Sequence, residues 1–303
     1  MASPQAACCH HQDAITMRVL VVGSHGQLGT DLMATLADRH EVLGVDRDEI
    51  DITVQSSVDA VFADFSPESV VNCAAWTAVD AAEEQEGAAL AVNGTGPRNL
   101  AVTCARTGAW LTHLSTDYVF DGTATSPYRE DAMPAPRSAY GRTKLAGEQA
   151  VQALLPESHY LVRTAWLYGL HGNNFVKTML SLEKQRETVL VVDDQRGQPT
   201  YARDLAAHLA MMVDRRPPAG TFHATNSGEC TWYDFARAVF EHAGANPDRV
   251  EATTSAQFVR PAPRPAYSVL GHSRWVEQGL PVMRSWQDAL DAAFADGIDG
   301  QTV

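Results

Sequence analysis

The sequence predicts an α/β fold, in which a doubly wound parallel sheet is joined to a smaller mixed α/β domain. Three observations predict this. Short apolar runs alternate with longer amphipathic stretches over the first half of the 303-residue chain, as strands and helices do in a parallel sheet. A glycine-rich turn follows the first apolar run. Beyond about residue 165 the alternation ends and proline-rich connections appear, which indicates a second domain of different architecture.

The predicted strands and helices of the large domain follow one another in chain order. The first run, 19–22, is apolar throughout, as expected for a strand that helices cover on both faces. Strands are predicted at 19–22, 41–45, 69–71, 110–113 and 160–163. Stretches with helical periodicity separate them, at 27–39, 56–64, 83–106 and 138–155. Such alternation requires crossover connections and therefore predicts a parallel sheet.

The change of pattern places the predicted domain boundary near residue 165. Residues 17–165 form the sheet domain, and residues 166–303 form the smaller domain, whose segments are free to interleave with the first. Helices are predicted in this second half at 174–184, 203–213 and 231–242. Residues 1–16 lack the basic start and apolar middle of a secretory signal, so we expect a disordered tail there.

Composition and charge exclude several classes of function. The chain has 23 Lys and Arg against 37 Asp and Glu, a net charge of −14. This argues against nucleic acid and against an anionic membrane surface, since both attract basic residues. No apolar stretch approaches the ~20 residues that cross a bilayer. The five cysteines contain no C-x-x-C, so we expect neither disulfides nor a metal site, and a reducing cytoplasm is the expected location.

The turn after the first strand has its glycines spaced as G-x-x-G-x-x-G, at Gly23, Gly26 and Gly29. Glycine lets the backbone approach a ligand closely, and the following helix offers free N–H groups to a pyrophosphate. Such triplets also occur by chance, but this position favours a dinucleotide site in a Rossmann-type domain. Asp46 ends the second strand, where it would bind the adenosine ribose. Arg47 follows it and could meet a 2′-phosphate, so NAD and NADP are not separated.

Tyr140 and Lys144 form a Y-x-x-x-K motif on a predicted helix. Residues i and i+4 project from one face, so both side chains can reach one cleft. We expect the nearby ammonium to lower the pKa of the tyrosine and so to favour proton transfer. The alternative is a half-buried tyrosine beside an exposed lysine. Thr116 favours the catalytic interpretation, because it follows the fourth strand at the edge where ligands bind, and its hydroxyl could bind a substrate carbonyl.

Five segments resemble the dTDP-4-dehydrorhamnose reductases, a family of extended short-chain dehydrogenase/reductases. They are STDYVFDGT (115–123), YGRTKLAGEQAV (140–151), RTAWLYG (163–169), NNFVKTML (173–180) and DDQRGQPTYARDLA (193–206). The resemblance covers about residues 17–286. It implies reduction of the C4 keto group of dTDP-4-dehydro-β-L-rhamnose to dTDP-β-L-rhamnose by NADPH or NADH, with NADPH slightly favoured.

The resemblance also implies roles for individual residues. Residues 17–165 would bind NAD(P), and residues 166–303 would bind the nucleotide sugar. The implied catalytic residues are Thr116, Tyr140 and Lys144. The implied cofactor contacts are Gly23, Gly26, Gln27, Leu28, Gly29, Asp46, Arg47, Ala74, Ala75, Asn93, Tyr140 and Lys144. The implied substrate contacts are Val79, Asp80, Thr116, Asp117, Trp166 and Arg264.

For three of these residues a structural role is a serious alternative. Trp166 could be a core tryptophan where the two domains meet. Arg264 could be a surface arginine that pairs with nearby acids, rather than one that binds a phosphate bidentately. Asn93 could lie on the surface of a helix.

Two other functions stay open. The family includes a regulatory subunit of methionine adenosyltransferase, a binding partner that keeps the dinucleotide fold, although the intact Thr116, Tyr140 and Lys144 favour an enzyme. The chain could also reduce another 4-keto nucleotide sugar. Some family members form homodimers with magnesium between glutamates. Asp31 stands where one of these glutamates would fall, so a homodimer is considered and no metal is predicted.

Overall fold

The computed structural model of the chain describes residues 16–300. The predicted tail, apart from residue 16, lies outside the described residues. The strands are β1 (Arg18–Val22), β2 (Glu41–Val45), β3 (Ser69–Asn72), β4 (Trp110–Thr116), β5 (His159–Thr164), β6 (Leu167–Tyr168), β7 (Val189–Val192), β8 (Arg196–Gly197), β9 (Thr200–Tyr201), β10 (Gly220–His223), β11 (Cys230–Thr231) and β12 (Val250–Thr253).

The helices alternate with the strands in the first half and lie between the short strands in the second. They are α1 (Gln27–Ala37), α2 (Gln55–Phe65), α3 (Val79–Glu84), α4 (Glu86–Leu90), α5 (Gly96–Thr107), α6 (Ala139–Leu154), α7 (Phe175–Gln185), α8 (Ala202–Arg215), α9 (Trp232–His242), α10 (Ser273–Glu277) and α11 (Trp286–Ala295). Between residues 16 and 300, none of the helices has the length and apolar character needed to cross a bilayer.

A six-stranded sheet forms the centre of the molecule, in the order β2-β1-β3-β4-β5-β10. Every pairing in it is parallel, which confirms the predicted α/β fold. The chain passes from β1 to β2 on one side and returns to β3 on the other side of β1. The strand order therefore reverses between β1 and β3, and ligands bind at the carboxyl ends of strands at such a point.

Helices cover both faces of this sheet, as the apolar first strand predicts. Val19 and Val21 pack with the apolar side of α1 and α8 on one face. Leu20 and Val22 pack with α2, α5 and α6 on the other face. Successive side chains of a strand point to opposite faces, so a strand covered on both sides must be apolar at every position.

The predicted long helix at 83–106 is wrong in detail. The structure divides this stretch into α3, α4 and α5, with one π-helical turn at Ala91–Thr95 between the last two. The turn carries Asn93 into the interior, where its amide binds backbone groups of a neighbouring loop. The hydrogen bonds between Asn93 and Trp76 thus interrupt the helix, although the helical pattern of the sequence continues over residues 83–106.

The second half of the chain returns to the large sheet. Strand β10 pairs with β5 at its edge, and α8 packs on α1 beneath it. The remaining elements surround a separate apolar cluster with residues from α7, α9 and α11. Helix α11 was not predicted from the sequence. A cleft between the two parts lies at the carboxyl edge of the sheet, and residues of both halves line it.

Candidate active site

A cavity of about 780 Å³ lies in this cleft, at the carboxyl edge of the sheet. Its wall includes all but three of the site residues expected from the sequence. These are Gly23, Gly26, Gln27, Leu28, Gly29, Asp46, Arg47, Ala74, Ala75, Val79, Thr116, Asp117, Tyr140, Lys144 and Trp166. The exceptions are Asp80, Asn93 and Arg264. The wall also contains residues that the sequence did not single out, among them Cys73, Tyr118 and Trp232.

The glycine turn brings the backbone of β1 against that of the residues after β3. Gly23 has a φ of +81°, and a Cβ atom there would lie 2.8 Å from the nitrogen of Ala74. A Cβ atom at Gly29 would collide with the carbonyl oxygen of Gly23, so this position too requires glycine. Helix α1 starts at Gln27 and, within the described part of the chain, no side chain caps its first turn. The free N–H groups of that turn can therefore bind an anion.

Asp46 and Arg47 lie at the end of β2, beside the glycine turn. The Asp46 carboxylate accepts hydrogen bonds from the backbone N–H of His25 at 3.2 Å and of Arg47 at 2.9 Å. These bonds tie the turn to the second strand. Among residues 16–300, neither a hydrogen bond nor an ion pair engages the guanidinium of the exposed Arg47.

Asn93 lies behind the cavity wall. Its Oδ1 accepts a hydrogen bond from the backbone N–H of Trp76 at 2.8 Å, and its Nδ2 donates to the Trp76 carbonyl and to the Thr143 hydroxyl, each at 3.1 Å. The side chain is fully buried. Both amide protons and the carbonyl oxygen of Asn93 are therefore used within the protein, and a contact between Asn93 and a cofactor stays a prediction. The residue fixes the loop after β3, together with Asn72, whose Oδ1 accepts from the Ala74 N–H at 3.1 Å.

Thr116 and Asp117 lie where β4 ends and a short 3₁₀ turn begins. The Thr116 hydroxyl donates to Asp117 Oδ1 at 2.9 Å and accepts from the backbone N–H of Tyr118 at 3.2 Å. Both side chains are buried. Burial raises the pKa of Asp117 to about 6, against the opposing effect of the hydroxyls of Ser268 and Thr116. The threonine is thus held in one orientation at the cavity wall.

Tyr140 and Lys144 project from the first two turns of α6, as their spacing predicts. The helix is capped by Ser138, whose hydroxyl accepts a hydrogen bond from the backbone N–H of Gly141 at 3.1 Å. The Tyr140 ring lies edge-on to Tyr118, with centroids 5.5 Å apart. The ammonium of Lys144 donates to the carbonyl oxygen of Leu114 at 2.5 Å. The helix therefore presents a phenol to the cavity and anchors an ammonium on β4.

The electrostatics of this pair differ from the expectation. Burial raises the pKa of Tyr140 to about 12; the Thr116 hydroxyl lowers it and the Asp117 carboxylate raises it further. Burial also lowers the pKa of Lys144 to about 8, while Glu148 and Cys73 act to raise it. The tyrosine pKa is therefore raised and not lowered as expected, because removal of the phenol from water outweighs the hydrogen bond with Thr116.

Trp166 lines the same cavity as Tyr140 and Lys144. Its ring stacks on that of Trp232, with centroids 3.7 Å apart and planes 13° apart. Both tryptophans are half-buried and line the cavity. The sequence predicts the helix that carries Trp232 but not the direction of this side chain. No local pattern distinguishes it from the other aromatic residues of the second half.

Asp80 and Arg264 bind each other beside the cavity. Arg264 Nη1 donates to Asp80 Oδ1 at 2.6 Å and to the carbonyl oxygen of Ala262 at 2.8 Å. Arg260 lies 3.9 Å from the other oxygen of Asp80. The alternative raised for Arg264 was a surface arginine that pairs with local acids. The structure pairs Arg264 with an acid, but with one that is distant in the chain, and only 19% of the arginine side chain is exposed. The pair joins the start of α3 to a segment 184 residues later in the chain.

Comparison with known proteins agrees with these motifs. A family model described as the RmlD substrate binding domain matches residues 17–298. The dTDP-4-dehydrorhamnose reductase of Streptomyces griseus is 51% identical over 282 residues, which cover 91% of this chain and 93% of that protein. The dTDP-4-keto-6-deoxy-D-glucose reductase of Streptomyces niveus is 52% identical over 281 residues, which cover 92% of this chain and 97% of that protein.

A solved structure shows the same architecture. The dTDP-4-dehydrorhamnose reductase of Bacillus anthracis, determined in complex with NADP, is 39% identical to this chain with a TM-score of 0.90, and the match covers 93% of this chain and all of that one. The resemblance found in the five sequence segments is therefore confirmed over nearly the whole chain. The chain belongs to the RmlD substrate binding domain family, that of the dTDP-4-dehydrorhamnose reductases.

Proposed function

We propose that this chain is a dTDP-4-dehydrorhamnose reductase, which reduces the C4 keto group of dTDP-4-dehydro-β-L-rhamnose to give dTDP-β-L-rhamnose. One observation carries the proposal: Thr116, Tyr140 and Lys144 line the cavity that also contains the glycine turn. A proton donor and a dinucleotide site in one cavity are what reduction of a carbonyl requires. The Streptomyces griseus relative bears this name.

The cofactor is NADPH or NADH. The residues of the turn fit a dinucleotide. A Cβ atom at Gly23 or Gly29 would collide with neighbouring protein backbone, so glycine is required for the turn to be this tight. The first turn of α1, which no described side chain caps, has N–H groups for a pyrophosphate. Asp46 would accept bonds from the adenosine ribose. When bound, the reduced nicotinamide supplies the hydride. Arg47 favours NADPH slightly, since its guanidinium, which has no partner within residues 16–300, suits a 2′-phosphate.

Tyr140 donates the proton to the carbonyl oxygen. With its pKa raised to about 12, the phenol is protonated at neutral pH. A forming alkoxide is a stronger base than a phenolate, so transfer from Tyr140 to the substrate oxygen is downhill. The raised pKa therefore suits the reductive direction, in which the tyrosine must begin as an acid.

Lys144 and Thr116 support this transfer. The ammonium of Lys144 would bind the nicotinamide ribose of the cofactor, and its bond to Leu114 fixes its position in the helix–sheet interface. The Thr116 hydroxyl is held by Asp117 and Tyr118. Its one proton turns from Asp117 to the C4 carbonyl when the substrate binds, and this bond orients the carbonyl towards Tyr140. The heavy atoms of these groups are placed before the substrate arrives, so only this proton has to reorient.

The nucleotide sugar binds on the side of Val79, Asp117 and Trp166. In this proposal, Trp166 covers the sugar ring and Asp117 accepts a bond from a sugar hydroxyl. Arg264 lies beside the cavity and would bind the diphosphate, with Asp80 holding its guanidinium in place. This anion site would be a local exception in a chain with a net charge of −14.

A second candidate is reduction of a related 4-keto nucleotide sugar. The Streptomyces niveus relative, at 52% identity, is named a dTDP-4-keto-6-deoxy-D-glucose reductase, so chains this similar bear names with different sugars. The regulatory-subunit alternative is less well supported, because a binding partner has no need for a threonine, a tyrosine and a lysine arranged around one cavity.

Oxidation of NADH and of NADPH, followed separately with each of the two 4-keto sugars, tests the proposal. We expect turnover with dTDP-4-dehydro-β-L-rhamnose, and faster turnover with NADPH than with NADH. Faster turnover of the other sugar would favour the second candidate. No oxidation with either sugar, together with co-purification of a methionine adenosyltransferase, would favour the regulatory subunit.

We also propose a cytoplasmic location and, as an assembly to be tested, a homodimer. Cys73, Cys104 and Cys230 are free thiols in the structure, as is usual for proteins of a reducing compartment. Light scattering during size-exclusion chromatography would give the mass in solution directly. A monomer at working concentration would exclude the homodimer.

A further inference from the structure

Trp166 has a backbone conformation that bulky residues rarely adopt. Its φ is +46°, in the left-handed region, where a side chain with a Cβ atom is strained. Such strain persists only where the surroundings fix the residue, and it is often found at ligand sites. The backbone N–H of Thr200 donates to the Trp166 carbonyl at 3.1 Å, but this bond does not determine the direction of the indole.

A small antiparallel sheet determines the position of the Trp166 indole. Strand β8 pairs with β11, with Gly197 opposite Cys230. A Cβ atom at Gly197 would lie 2.6 Å from Cε2 and Cζ2 of Trp166, so only glycine lets the strand pass against the indole. Trp232 follows β11 directly and stacks on the same indole. The two paired strands thus supply two contacts that hold one ring.

Trp232 is itself held firmly. It is the first residue of α9, after a capping box in which the Thr231 hydroxyl accepts from the Asp234 N–H at 3.1 Å and the Asp234 carboxylate accepts from the Thr231 N–H at 3.0 Å. The ring of Phe175 also packs against the Trp232 indole, with centroids 4.5 Å apart and planes 50° apart. An indole fixed in this way is a rigid support rather than an adaptable contact.

We propose that Trp232 is a substrate-positioning residue: by stacking on Trp166, it fixes the indole against which the apolar side of a 6-deoxy sugar packs. The inference rests on the proposed function and deepens it. The C–H groups and the methyl group of such a sugar are removed from water on this ring. A ring that cannot rotate limits the orientations of the sugar, and so directs its C4 carbonyl towards Tyr140 and Thr116 across the cavity.

Trp286 provides a matched control. It is also the first residue of a helix, after a Ser285 cap whose hydroxyl accepts from the Asp288 N–H at 3.1 Å, and it belongs to the same apolar cluster as Trp232. Within residues 16–300, however, it is not part of the cavity wall. Trp286 is buried whereas Trp232 is half-buried, so Trp286→Leu shows the effect of removing an indole from the shared apolar cluster without changing the cavity wall.

The experiment compares Trp232→Leu, Trp232→Phe and Trp286→Leu with the wild type. Steady-state kinetics give KM and kcat for the 4-keto sugar, and calorimetric titration gives the Kd of dTDP-L-rhamnose and of NADPH. We expect Trp232→Leu to raise the KM of the 4-keto sugar and the Kd of dTDP-L-rhamnose by about tenfold each. The Kd of NADPH should stay within about twofold of wild type. Trp232→Phe should recover most of the loss, because it restores an aromatic ring.

Three outcomes would overturn the inference: unchanged sugar binding in Trp232→Leu, an equal loss in Trp286→Leu, or a parallel loss of NADPH affinity. The last two would indicate that Trp232 only stabilises the fold. Failure of the proposed function is a separate result, since the wild type would then show no turnover. The titrations would still decide the role of Trp232. If the wild type bound no dTDP-L-rhamnose, the proposed positioning role of Trp232 would be excluded.

Discussion

The ammonium of Lys144 lies 2.5 Å from the carbonyl oxygen of Leu114 in the buried interface between α6 and β4. A backbone carbonyl compensates only part of the hydration that a buried ammonium loses. Burial accordingly lowers the pKa of Lys144 from 10.5 to about 8. A base whose pKa falls on folding contributes stability above its unfolded pKa and loses it as the pH falls through the folded value. At pH 7, therefore, the charge destabilises the fold.

Lys144→Met is expected to make the protein more stable and nearly inactive. At pH 7 the variant avoids the cost of burying a charge, and the gain is on the order of 1–3 kcal/mol, less the lost bond to Leu114. Turnover should fall by about 10²-fold or more, because the cation that would position the nicotinamide ribose is lost. Thermal unfolding and NADPH oxidation measure the two effects. Lower stability together with lower activity would show that the lysine is mainly structural.

Tyr140→Phe is expected to reduce kcat by about 10²- to 10⁴-fold, since the proton donor is removed. The Kd of NADPH should change little, because the ring and its edge-on contact with Tyr118 remain. Tyr118→Phe is the matched control, as it removes the hydroxyl of the neighbouring cavity tyrosine. Turnover of Tyr140→Phe close to that of Tyr118→Phe would remove Tyr140 from the mechanism.

Arg47→Ala should alter the choice between the two cofactors. The Arg47 guanidinium is exposed and unpaired among the described residues, so its removal costs little stability. Loss of a charge-assisted contact to the 2′-phosphate should raise the KM of NADPH by about tenfold and leave that of NADH nearly unchanged. Separate assays with the two cofactors measure this ratio. Equal changes in the KM of NADPH and of NADH would show that Arg47 does not bind the 2′-phosphate.

Arg264→Gln tests the proposed diphosphate site. Arg264 bonds to Asp80 at 2.6 Å and is 19% exposed, whereas Arg260 lies 3.9 Å from the same carboxylate and is 51% exposed. We expect Arg264→Gln to raise the KM of the dTDP-sugar by about tenfold with little change in kcat. Arg260→Gln should have a smaller effect. Unchanged KM in Arg264→Gln would leave its ion pair with Asp80 as its only role.

Features that depend on neighbouring residues in the chain were predictable from the sequence. The glycine turn and the start of α1 lie in one short segment, and Tyr140 and Lys144 share a face because they are four residues apart. The apolar strands were recognisable because a strand that is covered on both faces is apolar at every position. In each case the signal lies within a short segment, although the contact of Gly23 with Ala74 does not.

Features that depend on distant segments were not predictable in this way. The contact of Trp232 with Trp166 follows from the pairing of β8 with β11. The π-helical turn forms because Asn93 binds the backbone of Trp76. The pKa of Tyr140 depends on how deeply the hydroxyl is buried, which a motif does not encode. Trp166 and Arg264 were expected from the resemblance, but their partners were not.

Stability should fall as the solution becomes acidic, because several histidines are buried without charge. Burial lowers the pKa of His272 from 6.5 to about 4, and it lowers those of His113 and His223 well below 6.5. The stability these groups contribute is present above pH 6.5 and is lost as the pH falls towards their folded values. Each histidine can lower the free energy of unfolding by up to about 1.4 kcal/mol for each pH unit in this window.

Protonation of Asp117 has the opposite effect on stability over part of the same pH range. Its pKa is raised by burial from 3.8 to about 6, so its contribution is present below pH 3.8 and is lost as the pH rises through about 6. Three histidines outweigh one carboxyl group, and the free energy of unfolding in urea should decrease from about pH 6.5 to about pH 5. His272→Gln keeps a polar partner for Thr225 and should reduce the slope, because one protonating group is removed. A slope unchanged in this variant would show that His272 is already charged in the folded protein.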